Sequence, residues 1–109
     1  MALKINDGMT FESVCPARGP WPAVRFSYRP ALFDETEEHL AAIARGGKAK
    51  ADATAELLAR HVISWDVEDA GGHPAVPTRE LLRQLPHPHV RHMVDAITGY
   101  LEQEADLKN

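Results

Sequence analysis

The most regular hydrophobic pattern lies near the end of the chain. Apolar side chains recur there at helical spacing, at Val90, Met93, Val94, Ile97 and Leu101. Residues three, four and seven positions apart lie on one face of an α-helix. Pro88 suits a first helical position, because an N–H at that position would have no partner within the helix. The pattern therefore predicts a helix over residues 88–105.

A second apolar face lies earlier, over residues 48–65. At 100° per residue, one arc of this segment contains Leu57, Leu58, His61, Val62 and Trp65. The spacing predicts one helix that continues through Trp65. Trp65 is the largest apolar side chain of the arc, and we expect it to anchor the core, where its burial would contribute about 2–3 kcal/mol.

Capping residues predict two shorter helices. Asp34 is a candidate N-cap with Glu37 three residues later, and Gly46-Gly47 is a typical C-terminal signal, which together predict a helix over residues 34–45. Thr78 is a candidate N-cap ahead of Pro86, which cannot continue a helix. A helix over residues 78–85 follows from these two signals.

The amino-terminal part alternates between apolar and polar positions. Two short alternating runs flank Asn6-Asp7-Gly8, and Asp-Gly between such runs predicts a β-hairpin over residues 3–14. The segment 23–29 alternates strictly and predicts a third strand that ends before Pro30. Between them, residues 15–22 hold three prolines and a glycine, which predicts an extended connector. Trp21 in this connector is expected to be buried, with a role in partner binding as the alternative.

These elements predict an α+β, mainly α fold. An N-terminal β-hairpin and a third short strand, over residues 3–29, precede a bundle of three to four helices. At 109 residues the chain suits a single domain, with a β or extended part over 1–30, a helical part over 31–105 and a frayed tail over 106–109. The predicted core residues are Trp65, Leu57, Leu58, Val62, Leu81, Leu85, Val90 and Val94.

Charge and composition narrow the classes of function. The net charge is −4, from 12 basic and 16 acidic residues that are well mixed along the chain. This balance gives no electrostatic footprint for nucleic acid or for an anionic membrane. Cys15 is the single cysteine, no apolar run approaches the length of a membrane span, and the first residues lack a signal-peptide layout. We therefore expect a cytoplasmic protein with neither nucleic acid nor membrane as partner.

Histidines and acidic residues suggest two metal sites, and the residue patterns disfavour both. His89 and His92 miss the apolar stripe of their predicted helix and are expected to face water with His87, whereas a zinc site needs three or four converging ligands. A calcium-loop pattern that begins at Asp66 fails at Ala70 and again at Pro77, where ligands are expected. The segment from Asp66 to Gly71 is therefore interpreted as a turn, and Asp66 is expected to bind backbone groups.

His61 lies inside the apolar arc and is interpreted as a buried or boundary histidine, with a pH switch as the alternative. No nucleophile elbow, phosphate-binding glycine loop or metalloprotease motif is present in the sequence. Cys15 has no histidine near it in sequence. The residues themselves thus predict a binding module that is not an enzyme and holds no cofactor.

Several segments together resemble a known family. They are the strand VRFSYRP from Val24 to Pro30, the segment LARHVISWDV from Leu58 to Val67, the acidic glycine turn, the link from Pro74 to Pro77, Thr78 with Leu81, Leu82 and Leu85-Pro86, and the closing helix. Over residues 23–101 the chain resembles the tail assembly chaperones of long-tailed bacteriophages, which are encoded between the tail tube and tape measure proteins. None of these features is a catalytic signature.

The resemblance implies a partner and a place of action. A tail assembly chaperone binds the tape measure protein transiently, in the cytoplasm of the host cell, and keeps it soluble while tail tube subunits assemble around it. Tape measure and tail tube proteins are thus the implied partners, and self-association stays open. The alternative is a small structural virion protein, such as a head-tail joining or tail-completion component.

A chaperone of this kind needs an apolar surface for amphipathic helices, and a groove between helices is the natural receptor. The candidate partner-binding residues are those whose burial the patterns leave least assured: Leu40, Ile43, Ile63, Met93, Ile97, Tyr100 and Leu101. Ile63 projects away from the apolar arc of its predicted helix and needs cover from the N-terminal strands or from a partner. For each of these residues taken singly, an ordinary place in the core is the favoured interpretation, and partner binding is the alternative.

Overall fold

The computed structural model describes residues 8–99. In chain order the elements are β1 (Phe11–Cys15), β2 (Val24–Tyr28), α1 (Phe33–Arg45), α2 (Gly47–His61), β3 (Val62–Trp65), α3 (Arg79–Leu82) and α4 (His87–Thr98). A three-stranded antiparallel sheet and four helices make up the described residues, which confirms the predicted α+β fold.

The sheet is organised around β2, the strand that strict alternation predicts. Val24, Phe26 and Tyr28 on one side of β2 are buried, and Arg25 on the other side is exposed. The strand order is β1-β2-β3, with Phe11 opposite Tyr28 on one side and Phe26 opposite Trp65 on the other. A register shift between Ser27 and Tyr28 bends the β2–β3 pair. Of the predicted N-terminal hairpin, residues 3–7 lie outside the described residues, and the second run forms β1, which pairs with β2.

The predicted helix over residues 48–65 is wrong at its C-terminal end. α2 ends at His61, and Val62 adopts an extended conformation, with φ −79° and ψ 119°, as the first residue of β3. β-Branched and aromatic side chains favour a strand here, and the edge of β2 supplies hydrogen-bond partners for the backbone. A tertiary pairing therefore overrides a helical pattern that extends four residues too far.

The helix ends also differ from their sequence signals. Leu32, not Asp34, is the N-cap of α1, and the Glu35 carboxylate accepts a hydrogen bond of 2.9 Å from the Leu32 N–H. Thr78 caps α3 as predicted, since its Oγ1 accepts from the Leu81 N–H at 3.3 Å, but α3 ends at Leu82 rather than at residue 85. α4 ends at Thr98 rather than at residue 105, because Gly99 takes a left-handed conformation with φ 82°.

The core lies between the sheet and the helices α2 to α4. Its fully buried members include Phe26, Leu58, Leu82, Met93 and Ile97. Among the predicted core residues, Leu57, Leu58 and Val62 are buried, and Trp65, Leu85, Val90 and Val94 are partly buried against the core. Leu82, not Leu81, is the buried leucine of α3, and Phe26 rather than Trp65 is the aromatic ring at the centre. Within the described residues, no helix is both long and apolar enough to cross a membrane.

Candidate functional site

A groove of about 710 Å³ runs between the four helices. Its floor is apolar and consists of side chains from all four: Ile43 from α1, Leu58 from α2, Leu82 from α3 and Val90 and Val94 from α4, with Leu85 from the following turn. We call this feature the interhelical groove. Its apolar floor makes it the candidate functional site.

The apolar stripe of α4 divides between the core and the groove. Met93, Ala96 and Ile97 are buried in the core. Val90 and Val94 are four residues apart, so they lie one above the other on the helix, and both are partly buried at the groove. The apolar stripe of α4 is thus wider than the face that is buried in the core. Val90 and Val94, at its other edge, can contact a ligand in the groove.

Basic side chains predominate around the groove. Among the described residues, Lys50, Arg83 and Arg91 line it together with a single acidic residue, Asp95, although the whole chain has a net charge of −4. Arg83 also pairs with Asp52 at 2.8 Å, which leaves Lys50 and Arg91 as the exposed cations with the greatest freedom to meet a partner. The groove therefore combines an apolar floor with a basic rim.

His39 forms part of the groove wall and is buried. Its Nε2 lies 3.2 Å from the Thr54 hydroxyl, which ties α1 to α2. Burial lowers the pKa of His39 below its ordinary value, and the nearby charge of Lys50 lowers that pKa further. The ring is therefore held towards its neutral form within the wall.

The candidate partner-binding residues fall into four groups. Ile43 lies in the groove. Leu40 on α1 and Ile63 on β3 are exposed elsewhere, with 40% and 44% of their surface accessible. Met93 and Ile97 are fully buried, so their prediction as contact residues is wrong: they fill the space between α4 and the sheet. Tyr100 and Leu101 lie outside the described residues. The structure adds Val90 and Val94, which the sequence pattern assigned to the core.

The prediction that His89 and His92 on α4 face water is wrong. His89 is 1% exposed, and its Nε2–H donates to the Pro22 carbonyl at 2.8 Å. The His92 Nε2 lies 3.1 Å from the Ser13 hydroxyl, and its ring meets Phe26 edge to face. Burial lowers the pKa of His92, with Asp95 opposing this shift and His89 adding to it. Both rings join α4 to the N-terminal part, a structural role that an apolar stripe alone does not reveal. His87 is exposed, as predicted.

His61 is buried as predicted and joins α2 to α1 and β2. Its Nδ1 lies 2.8 Å from the Arg29 carbonyl and its Nε2 3.0 Å from the Glu35 carboxylate. Both partners are hydrogen-bond acceptors, so each ring nitrogen of His61 faces an acceptor. Burial raises the pKa of Glu35, but the Leu32 N–H, His61 and Arg60 more than offset this, and the pKa is lowered overall.

Cys15 has the properties of a core residue rather than of a nucleophile. It is fully buried at the end of β1, and its thiol lies 3.7 Å from the His89 carbonyl. Burial, with a smaller effect of Asp66, raises the pKa of Cys15 to about 12. The thiol is therefore protonated at neutral pH and has little nucleophilic character.

The acidic glycine turn is held by Asp69. Its Oδ1 accepts hydrogen bonds from the Gly71 N–H at 2.8 Å and from the His73 N–H at 3.0 Å. Asp66 binds a backbone group as predicted, but the donor is the Arg25 N–H on β2, at 2.9 Å, rather than a group of its own turn. In residues 8–99, no three histidine, cysteine, aspartate or glutamate side chains are grouped so that they could hold a metal ion.

Comparisons with protein-family models, with curated proteins and with solved structures find no match for this chain.

Proposed function

We propose that this protein is a phage tail assembly chaperone that holds amphipathic helices of the tape measure protein in the interhelical groove. The observation that carries the proposal is the apolar floor of the groove, to which α1, α2, α3 and α4 all contribute. An amphipathic helix lays its apolar face into such a groove, with anchor residues three, four and seven positions apart.

The floor offers these anchors several contacts. Ile43 and Val94 lie among its lining residues, and both are partly buried, so a bound helix would remove the remaining apolar surface from water. Each square ångström of apolar surface buried contributes about 25 cal/mol. The contact is non-directional, which suits a chaperone that binds many similar segments of one long chain.

The rim favours helices that carry acidic residues beside their apolar stripe. Lys50 and Arg91 flank the floor and are exposed. Charges at the rim of an interface mainly speed association and set orientation, and salt weakens them. In this proposal the groove gives affinity through its floor, and the rim selects among helices.

Release is as necessary as binding, since tail tube subunits must replace the chaperone. A floor of aliphatic side chains, with no phenylalanine, tyrosine or tryptophan among the described lining residues, suits weak and reversible contacts. We therefore propose transient binding, in which tube subunits displace the chaperone from the tape measure protein during assembly.

Co-expression with the tape measure protein of the same phage tests the proposal. We expect the tape measure protein to be soluble and to elute together with the chaperone on size exclusion, and to be insoluble when expressed alone. Purified virions should lack the chaperone. A stoichiometric amount in finished particles would support instead a structural head-tail joining or tail-completion component.

A further inference from the structure

A second pocket, which shares Leu85 with the interhelical groove, begins at a tight turn in the connector after β1. The Arg18 N–H donates to the Trp21 carbonyl at 3.0 Å, and the Trp21 N–H donates to the Arg18 carbonyl at 2.9 Å. Gly19 in this turn has a φ of 54°, a conformation that few other residues adopt. Trp21 is 45% exposed, so the expectation that it is buried is wrong. A large aromatic ring is thus displayed on a closed turn.

Pro22, the residue after Trp21, is held by a hydrogen bond from α4. The buried His89 ring donates its Nε2–H to the Pro22 carbonyl, 2.8 Å away, and so joins the connector to α4. A ring presented on a turn that is anchored in this way loses little conformational entropy when it binds a ligand. Exposed tryptophans in such settings are the residues that most often dominate binding energy.

The pocket beside Trp21 has a volume of about 360 Å³ and an acidic wall. Asp66, Glu68 and Asp69 line it, together with the apolar side chains of Val67, Leu85 and Pro86, and its described lining includes no lysine or arginine. Asp66 and Asp69 each use one carboxylate oxygen for backbone N–H groups, and each has a second oxygen as a further acceptor. We call this feature the Trp21 pocket.

His89 lies in the wall of the same pocket and has one ring nitrogen without a partner. Because a carbonyl can only accept, the bond to Pro22 requires a proton on Nε2, and in a neutral ring Nδ1 is then an acceptor. This Nδ1 is buried and has no hydrogen-bond partner in the described structure. Buried polar atoms without a partner are rare and costly, and a ligand that carries N–H groups would satisfy this one.

We propose that the Trp21 pocket binds an arginine side chain of a partner protein. The guanidinium stacks on the Trp21 ring and donates to the carboxylates of Asp66 and Glu68, while its methylene stem packs against Leu85 and Pro86. Arginine fits better than lysine, because its planar group stacks on aromatic faces and carries five N–H donors in a fixed fork. The charge of the wall is complementary to a cation and repels an acidic segment.

Titration of the isolated protein with short peptides tests this proposal without any tape measure protein, so its outcome is separate from that of the groove. The probes are two blocked glycine-flanked tripeptides that differ only in a central arginine or lysine. The readout is the indole N–H resonance of Trp21 in two-dimensional NMR, assigned with a Trp21→Phe variant. We expect a saturable shift with the arginine peptide and weaker binding of the lysine peptide.

The matched variants are Glu68→Gln and Glu37→Gln. Both remove one negative charge from an exposed glutamate, but Glu68 lines the pocket and Glu37 lies on α1 outside it. Glu68→Gln should weaken binding of the arginine peptide about threefold or more, as loss of one charge-assisted hydrogen bond predicts, and Glu37→Gln should not change it. The proposal is overturned if the Trp21 resonance does not shift, if both peptides bind equally, or if the two variants behave alike.

Discussion

At the scale of single residues, histidines connect the elements of this protein. His61 joins α2 to α1 and β2, His89 and His92 join α4 to the N-terminal part, and His39 joins α1 to α2. Three of these four rings are buried, and each has a hydrogen-bond partner. Stability should therefore respond to pH in the range where histidines titrate.

His39 and His92 are predicted to lower the stability of the folded protein as the pH falls through 6.5, the ordinary histidine pKa. Burial lowers the pKa values of His39 and His92 in the folded state, so between the folded and the unfolded pKa the unfolded chain binds more protons. Protonation thus favours unfolding in this window, and stability is recovered above it. Urea unfolding at pH 7.5 and pH 5.5, values that bracket the ordinary pKa, measures the difference.

The variants His39→Asn and His92→Asn should each reduce this loss, because asparagine keeps a polar group but does not titrate. His87→Asn is the control, since His87 is exposed and should leave the pH dependence unchanged. A loss on acidification that is the same in the wild type and in both asparagine variants would contradict the assignment of neutral His39 and His92.

At the scale of elements, the strand β3 is the feature that local patterns misplace. Val62 and Trp65 are three residues apart, a spacing that fits a helical face, and four residues are too few to distinguish a helix from a strand by periodicity. The edge of β2 decides in favour of a strand, because β2 is distant in sequence but supplies hydrogen bonds to β3. This pairing cannot be predicted from the residues of β3 and their neighbours in sequence.

Other elements follow from local chemistry. The alternation of Val24, Phe26 and Tyr28 predicts β2, and the Thr78 cap predicts the start of α3, because in both cases the signal and its structural cause lie within a few residues. The groove is different. Ile43 and Val94 line one groove because α1 and α4 both pack against α2, so the sequence predicts a groove between helices without identifying all of its lining residues.

Two alanine substitutions test the burial that the structure gives to Val62 and Ile63. Val62 is buried in the core, and the next residue, Ile63, is 44% exposed, so their side chains differ in burial as strand geometry requires. Val62→Ala should lower the free energy of unfolding by about 2 kcal/mol through lost burial and a cavity. Ile63→Ala removes more atoms but should cost less than about 1 kcal/mol.

Chemical denaturation of both variants gives these two free energies. Equal losses, or a larger loss for Ile63→Ala than for Val62→Ala, would show that the side chains of residues 62 and 63 are not buried as β3 requires.

At the scale of the whole molecule, the sheet and the helices have different tasks. The sheet and the inner stripe of α4 supply the buried core, whereas the facing sides of the helices leave the interhelical groove with its basic rim. In the proposed function the groove receives an amphipathic helix, and exposed apolar residues outside it, such as Leu40 and Ile63, contribute little. The proposed function therefore depends on binding of the tape measure protein in the interhelical groove.

The most direct measurement compares Ile43→Glu with Leu40→Glu in co-expression with the tape measure protein. Both variants place a carboxylate on α1, but Ile43 lines the groove and Leu40 lies outside it. Thermal unfolding first establishes that both are folded. We predict that Ile43→Glu loses most of the soluble tape measure protein and that Leu40→Glu retains it. Retention by both variants, or loss with Leu40→Glu alone, would contradict binding in the interhelical groove.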